Sequence, residues 1–349
     1  MYEEAVKDLE IISQAIGKFS DLVQGGGGNT SVKINEELMV IKASGYRLNQ
    51  VTQKEGFVVV NYKVIKNYII DVDLNSNIDF EKESIDLFNK NVINSDGLKT
   101  LRPSVEAGFH SVLQKYVIHS HSVYANILCC SNEGKQISEK IFSDKTYDIL
   151  WIPYVKPGFF LTVKIYEDVQ NHIERGGNFP KVILLENHGL IVSSENLEEV
   201  LQIHEDVNKS IKCYLNIDEK YPEIKLKEIG TNLYLSNTKF ISDFLKENKI
   251  SQEFFEKIAL YPDQIVYLND NISINDDENK INIDLDEKKV IYKASYEEAF
   301  TLEEVFLAYA YVISKIKENN LSIKTLTPEE IDFIRNWESE KYRKSLIGL

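Results

Sequence analysis

The stretch RPSVEAGFHSVLQKYVIHSHSVYAN, residues 102–126, decides how the chain is read. Pro103 and Ser104 mark a helix start, with Ser104 as N-cap, and the helix pattern runs to Gln114. Glu106 then stands in the first turn, where the positive end of the helix dipole favours a carboxylate. The apolar run 117–121 has the pattern of a strand. Strand side chains alternate between faces, so His119 and His121 point the same way while Ser120 faces elsewhere. A third histidine, His188, follows the apolar run of VILLENHGLIV, residues 182–192. Three neutral imidazoles suit a zinc ion that keeps a position open for substrate. Glu106 has the chemistry of a general base beside it. The plain alternatives are core packing for the His-x-His pair and helix stabilisation for Glu106.

Outward from this stretch, residues 3–23 carry apolar positions at helical period, and Gly25–Gly28 ends that helix. Strand patterns follow at 30–34 and 38–42, then a turn at Ala43-Ser44-Gly45 and another strand at 56–62. The Asn- and Asp-rich segment 67–96 reads as exposed loops with room for a short hairpin. Beyond the central stretch come a helix at 123–130, a buried strand at 181–185 and an amphipathic helix at 197–214. Strands alternating with helices up to Leu215 predict a layered α/β unit. After Asn216 the composition shifts to Lys, Glu, Asn and Asp, which places a boundary there. Helical patterns then appear at 238–247 and 251–259, and strands at 263–268, 280–285 and 288–293. Two helices close the chain. One starts at Thr301 with a capping box to Glu304; the other starts at Thr327, with Pro328 at its first position and Glu330 completing a box.

The totals narrow the function classes. A length of 349 residues allows one large domain or two ordinary ones, and a hydrophobic fraction of 43% is that of a globular protein. The formal charge of −15 opposes non-specific binding to nucleic acid or to an anionic membrane surface. No run resembles a membrane span, and MYEEAVKDLE lacks the order of a signal peptide. Cys129, Cys130 and Cys213 form no disulfide framework and read as buried reduced thiols, which points to the cytoplasm. His172 and His204 lie on helices and read as surface or structural. His110 shares a helix face with Glu106, so it either orients that carboxylate, lines the pocket or is structural. The run Gly25–Gly28 before Asn29-Thr30-Ser31 offers a nest of backbone N–H groups for an anion, with a flexible turn as the default. It has neither the ending of a Walker A motif nor the strand-to-helix placement of a dinucleotide fingerprint.

Five motifs, Gly28-Asn29-Thr30-Ser31, Ala43-Ser44-Gly45, Pro103-Ser104-Val105-Glu106, His119-Ser120-His121 and Asn187-His188-Gly189-Leu190, carry a resemblance to the class II aldolase/adducin family over residues 5–215. The C-terminal part, ending in Trp337-Glu338-Ser339-Glu340-Lys341-Tyr342-Arg343, resembles the aldolase portion of bifunctional rhamnulose-phosphate aldolase/dehydrogenases. The chain ends before any dehydrogenase domain, so no nicotinamide cofactor is expected. The resemblance implies a layered αβα domain over 1–215 around a mixed, mostly antiparallel sheet, and an α+β extension over 216–349. It implies that His119, His121 and His188 bind Zn2+ (or another divalent metal) and that Glu106 is the acid/base carboxylate. Gly28, Asn29, Ser44, Gly45 and Ser104 match positions that hold the substrate phosphate. Val105 departs from the family pattern, where many aldolases have a second serine. This leaves a phosphate, a carboxylate or no anion open, with Lys42, Lys99 and Arg102 nearby to compensate.

The implied activity is cleavage or formation of a C–C bond in a ketose or sugar phosphate through a metal-stabilised enediolate. A sugar-phosphate epimerase or decarboxylase on the same scaffold is the alternative, and a non-catalytic adducin-like scaffold is a third reading. The family also implies a homotetramer with active sites between subunits, and a small-molecule sugar as partner.

Overall fold

The computed structural model describes residues 2–93, 101–276 and 278–336. Its centre is a seven-stranded sheet of β1 (Asn29–Lys33), β2 (Leu38–Lys42), β3 (Phe57–Asn61), β4 (Tyr116–Ser120), β5 (Ile149–Ile152), β6 (Val182–Leu185) and β7 (Gly189–Ser194). The order is β3-β2-β1-β4-β7-β6-β5, and only the β5–β6 pairing is parallel. Among the described residues this part has the α-helices α1 (Glu3–Gly17), α2 (Tyr62–Asp71), α3 (Phe80–Lys90), α4 (Ala107–Val112), α5 (Val123–Cys129), α6 (Gly134–Ile141), α7 (Phe159–Glu174) and α8 (Leu197–Tyr214).

Strand alternation divides the side chains between two apolar layers. Val40, Ile118 and Val192 pack with α1, α5 and α8 on one face. Their chain neighbours Val117 and Ile191 pack with Phe109 of α4 and Phe159 of α7 on the other. Met39 and Ile41 extend that second layer toward Ile65 of α2 and Phe88 of α3. The result is a mixed α/β sandwich with helices on both faces of the sheet.

Several local expectations fail for physical reasons. Helix α1 stops at Gly17 rather than continuing to residue 23, because Phe19 N–H turns back onto the Ile16 carbonyl at 3.2 Å. Phe19 continues the apolar period but is 54% exposed. The segment read as loops from 67 to 96 contains the end of α2 and the whole of α3. Each is N-capped: Asn61 accepts from Val64 N–H and Asp79 from Lys82 N–H. Their apolar faces are narrow, only Tyr62, Ile65 and Ile69 in one, and Phe80 and Phe88 with Ser84 in the other. Polar residues elsewhere on both helices dilute the period. The helix expected from Ser104 to Gln114 is the single short turn of α4, and Glu106 is its N-cap residue.

The C-terminal part holds a five-stranded sheet of β8 (Leu226–Gly230), β9 (Leu233–Ser236), β10 (Ile272–Ile274), β11 (Ile281–Asp284) and β12 (Lys289–Lys293), ordered β10-β11-β12-β9-β8. Its helices are α9 (Lys239–Glu247), α10 (Gln252–Lys257), α11 (Pro262–Tyr267), α12 (Tyr296–Glu318) and α13 (Pro328–Asn336). The run read as a strand at 263–268 is instead α11, with Pro262 at its start and Asp263 in its first turn. Helix α12 starts before Thr301: Ser295 accepts from Glu298 N–H, so the earlier of two Ser/Thr-x-x-Glu patterns is the cap. The box at Thr327 forms, with Thr327 N–H donating to Glu330 and Glu330 N–H to Thr327 Oγ1.

The C-terminal part has no core of its own apart from the first. One apolar cluster runs from Leu9 and Ile118 through Tyr124 and Leu128 to Phe255, Ile283 and Phe306. At the join, the rings of Tyr124 in α5 and Tyr311 in α12 meet edge to face at 6.3 Å. Helix α12 is buried along most of its length, mainly by apolar residues but with Glu303 and Glu304 buried among them. Among the described residues no helix is long and apolar enough to cross a membrane. Cys129 and Cys130 are buried, whereas Cys213 is exposed, against the expectation of three buried thiols. The motif at 337–343 lies outside the described residues.

Candidate metal centre

Strand register brings the histidines together. In β4, His119 lies opposite Asn29 of β1 and Ile191 of β7, and Ser120 lies opposite Leu190. His121 follows directly after the strand. His188 sits in the turn between β6 and β7, where Asn187 takes a left-handed conformation at φ 50°. Glu106 approaches from the start of α4, its side chain 14% exposed.

The four side chains converge. His119 Nε2 and His121 Nε2 are 3.1 Å apart. Glu106 Oε1 lies 3.4 Å from His119 Nε2 and 3.6 Å from His188 Nε2. One ligand atom from each of the four lies within 4.8 Å of every other. The outer nitrogens settle which ring atoms face inward. His119 Nδ1 is 3.1 Å from the Leu190 carbonyl, which can only accept, so this nitrogen carries the proton. His121 Nδ1 donates to the Asp263 carboxylate. In neutral rings both Nε2 atoms therefore turn lone pairs toward each other, an arrangement a cation between them relieves. Burial lowers the pKa of His188 to about 4, so it too is a neutral ring. The residues present therefore fit a divalent metal ion. Burial pushes the Glu106 carboxyl up, and when His119 and His188 are protonated their charge and N–H donation more than reverse this and pull it well below the usual carboxylate range; with neutral rings a cation held between them would take over that role.

The centre opens into a narrow cleft. Gly28, Asn29, Ser44, Gly45, Ser104 and Val105 line it together with Glu106, His121 and His188, and Pro262 and Asp263 line it from the C-terminal part. All five residues matched to substrate binding thus face one space with the metal cluster. Lys42 also lines it, buried, with Nζ donating to the Tyr46 carbonyl at 2.7 Å. Arg102 lines an adjoining cleft that shares Ser44, Ser104 and Val105. Lys99 lies outside the described residues. Ser104 Oγ accepts from Glu106 N–H at 3.2 Å, which steadies the turn bearing the carboxylate.

The remaining histidines are structural. His110 is buried with Nδ1 2.7 Å from Ser31 Oγ, and stacks on Phe109 with ring centres 4.7 Å apart. Its imidazole is directed to β1, and it is not among the residues lining the cleft. His204 is buried against Ser120, and His172 pairs with Asp148 at the surface.

The glycine run is not an open anion nest. Gly25 N–H donates to Glu304 of α12 at 3.1 Å, and Gly26 N–H reaches the Tyr267 hydroxyl at 3.4 Å. Glu304 also accepts from Ser20 and pairs with Arg47 at 2.8 Å. The anion held by the start of this loop is therefore the chain's own carboxylate. Asp263 and Glu304 both belong to the C-terminal part, and sequence reasoning missed both. Pro262-Asp263 is a helix-start signal in the sequence, but no local pattern says where that helix docks.

A model of the Class II Aldolase and Adducin N-terminal domain matches residues 12–215. The Bacillus subtilis protein named Uncharacterized oxidoreductase YuxG is 31% identical over 222 residues, covering 61% of this chain and 30% of that protein. The chain thus spans less than a third of that relative's length. The Haemophilus influenzae protein named 3-oxo-tetronate 4-phosphate decarboxylase is 24% identical over 204 residues, covering 55% of this chain and 79% of its own. Among solved structures, the N-terminal class II aldolase domain of a conserved protein from Thermoplasma acidophilum superposes with a TM-score of 0.51 at 23% identity. The match covers 60% of this chain and 93% of that one.

Proposed function

We propose that this chain, which belongs to the class II aldolase and adducin family, is a zinc-dependent aldolase acting on a ketose, with sugar phosphates as the leading substrate class. One observation carries the reading: three imidazoles and one carboxylate converge on a single point at the end of a polar cleft. His119, His121 and His188 would hold the metal. When bound, the ion supplies Lewis-acid chemistry, drawing electron density from a substrate carbonyl so that a carbanion beside it becomes accessible.

The chain's own residues do the rest. In cleavage the hydroxyl beside the scissile bond loses its proton as its carbon leaves as an aldehyde, the C–C bond breaks with its electron pair left on the carbon next to the carbonyl, and Glu106, carrying a proton taken up in this step, delivers it to that carbon. In condensation the Glu106 carboxylate removes the same proton. Gly28, Asn29, Ser44, Gly45 and Ser104 would hold the far, anionic end of the substrate. Val105 offers no hydroxyl there, and the Lys42 ammonium supplies positive charge in the same cleft. No covalent enzyme intermediate is needed.

The Haemophilus relative, matched over most of its length and named a decarboxylase, favours a second reading in which the same site stabilises the carbanion left by loss of CO2. Epimerisation belongs with it, and product analysis separates the three. A non-catalytic scaffold is disfavoured by the complete set of histidines. The test is metal analysis of the purified protein with an aldehyde-release assay over ketose 1-phosphates and unphosphorylated ketoses. Glu106→Gln should keep its metal and lose turnover by about 10²–10⁴-fold. Full activity in that variant removes Glu106 from the chemistry, and a protein that takes up no divalent metal overturns the reading.

A further inference from the structure

We infer that Asp263 is a positioning residue for this centre: its carboxylate sets the tautomer and aim of His121, so the metal site is completed from the C-terminal part of the chain. The inference rests on the reading of His119, His121 and His188 as ligands. Asp263 and His121 are 1% and 5% exposed, and Asp263 Oδ2 accepts from His121 Nδ1. Asp263 is not itself a ligand for the same ion. It meets the ring at the nitrogen turned away from the cluster, and it is absent from the converging set of donor atoms. An imidazole that donates its outer N–H to a carboxylate is fixed in orientation and is a more basic ligand at its inner nitrogen.

The surrounding structure is shaped to this pair. Asn187, next to His188, donates through Nδ2 to the Leu260 carbonyl at 2.7 Å and to the Lys324 carbonyl at 2.9 Å. Leu260 N–H in turn donates to Gln264 Oε1 at 2.7 Å, which anchors the segment leading into α11. The glycine loop then closes over the pair from the other side. A Cβ on Gly27 would lie 2.6 Å from Asp263 Oδ2 and 2.7 Å from His121 Nδ1, closer than real contacts allow. Gly27 thus lets the loop seal this hydrogen bond, and Glu304 pins the loop in place through Gly25. The other two rings are held differently. His119 is oriented by a backbone carbonyl of its own sheet, and His188 Nδ1 is buried with no partner among the described residues.

The test compares full-length wild type, Asp263→Ala, Asp263→Asn and Gly27→Ala. Zinc affinity is read by chelator competition, and site geometry by the visible spectrum of the cobalt-loaded protein. Asp263→Ala should weaken zinc binding about 10–100-fold and change the cobalt band, with the melting temperature of the metal-free protein as the control for folding. Asp263→Asn, which still accepts from Nδ1 but carries no charge, should lose less affinity and keep a band closer to wild type. Gly27→Ala, which forces the pair apart without removing either member, should resemble Asp263→Ala. Wild-type affinity and spectrum in Asp263→Ala, or in Gly27→Ala should the Asp263 variant not fold, overturn the inference while leaving the ligand set standing. A wild type that binds no zinc overturns both.

Discussion

The two halves of the His-x-His pair are held by different regions of the molecule. His119 is fixed by the seven-stranded sheet, through the Leu190 carbonyl on the neighbouring strand. His121 is fixed by the C-terminal part, through the Asp263 side chain. The sheet works by backbone register, which follows from strand pairing and needs no particular side chain. At the site the C-terminal part works through side chains, Asp263 gripping a histidine and Glu304 the glycine loop, while its backbone carbonyls at Leu260 and Lys324 receive the Asn187 hook from the first part. The first region gathers the site, and the second holds its loops and one of its rings in place.

If the two regions truly form one cooperative body, damage to one should unfold both. Phe306 is fully buried in α12, with Phe255 and Phe244 at ring distances of 6.0 and 6.5 Å. Phe306→Ala should cost about 3–5 kcal/mol, and urea unfolding followed by fluorescence and by circular dichroism should still show a single transition. Two separable transitions would break the comparison, making the C-terminal part a rider on an independent sheet.

The sheet side is sharpened by acid. Burial lowers the pKa of His204, packed against Ser120 of β4, from 6.5 to about 4. Between those values the unfolded chain takes up a proton that the folded chain refuses. Stability of the metal-free protein should therefore fall as the pH drops from 6.5 toward 4, by about 3 kcal/mol from this residue. Urea midpoints at pH 7 and pH 4 measure it, and His204→Gln should make the dependence shallower, leaving the share that buried His110 and His188 contribute in the same direction. An unchanged slope in that variant would assign the acid sensitivity elsewhere.

The smallest effect probes the hook between the regions. Asn187→Gly keeps the left-handed turn but removes both hydrogen bonds to the C-terminal part. It should cost about 1–2 kcal/mol and lower zinc affinity modestly, measured by denaturation and chelator competition. A loss of stability with no change in affinity would separate the hook from the metal centre.

What could be read in advance follows the same division. Strands β1 to β4 and β6, and the shared face of His119 and His121, were legible because short strands print their geometry locally at a period of two, whereas β5 and β7 were not marked and the cleft residues were found through the family resemblance. Helices α2 and α3 were not legible, since each buries only a residue or two per turn among polar neighbours. Helix α11 was misread because Ile265, Val266 and Tyr267 have strand propensity, while Pro262 and Asp263 gave the opposite signal at its start. Thr301 and Glu304 mimicked a cap by spacing alone; their mid-helix contacts with Arg47 and Gly25 are tertiary. Side chains that act across such distances leave no periodicity to find.

The bond between His121 and Asp263 spans 142 positions of the chain. Contacts of that separation form late, after the local ones are in place. Along the chain the three imidazoles are complete by residue 188, well before the acid that orients one of them. A product that stopped before residue 263 would carry all three imidazoles with one of them unaimed.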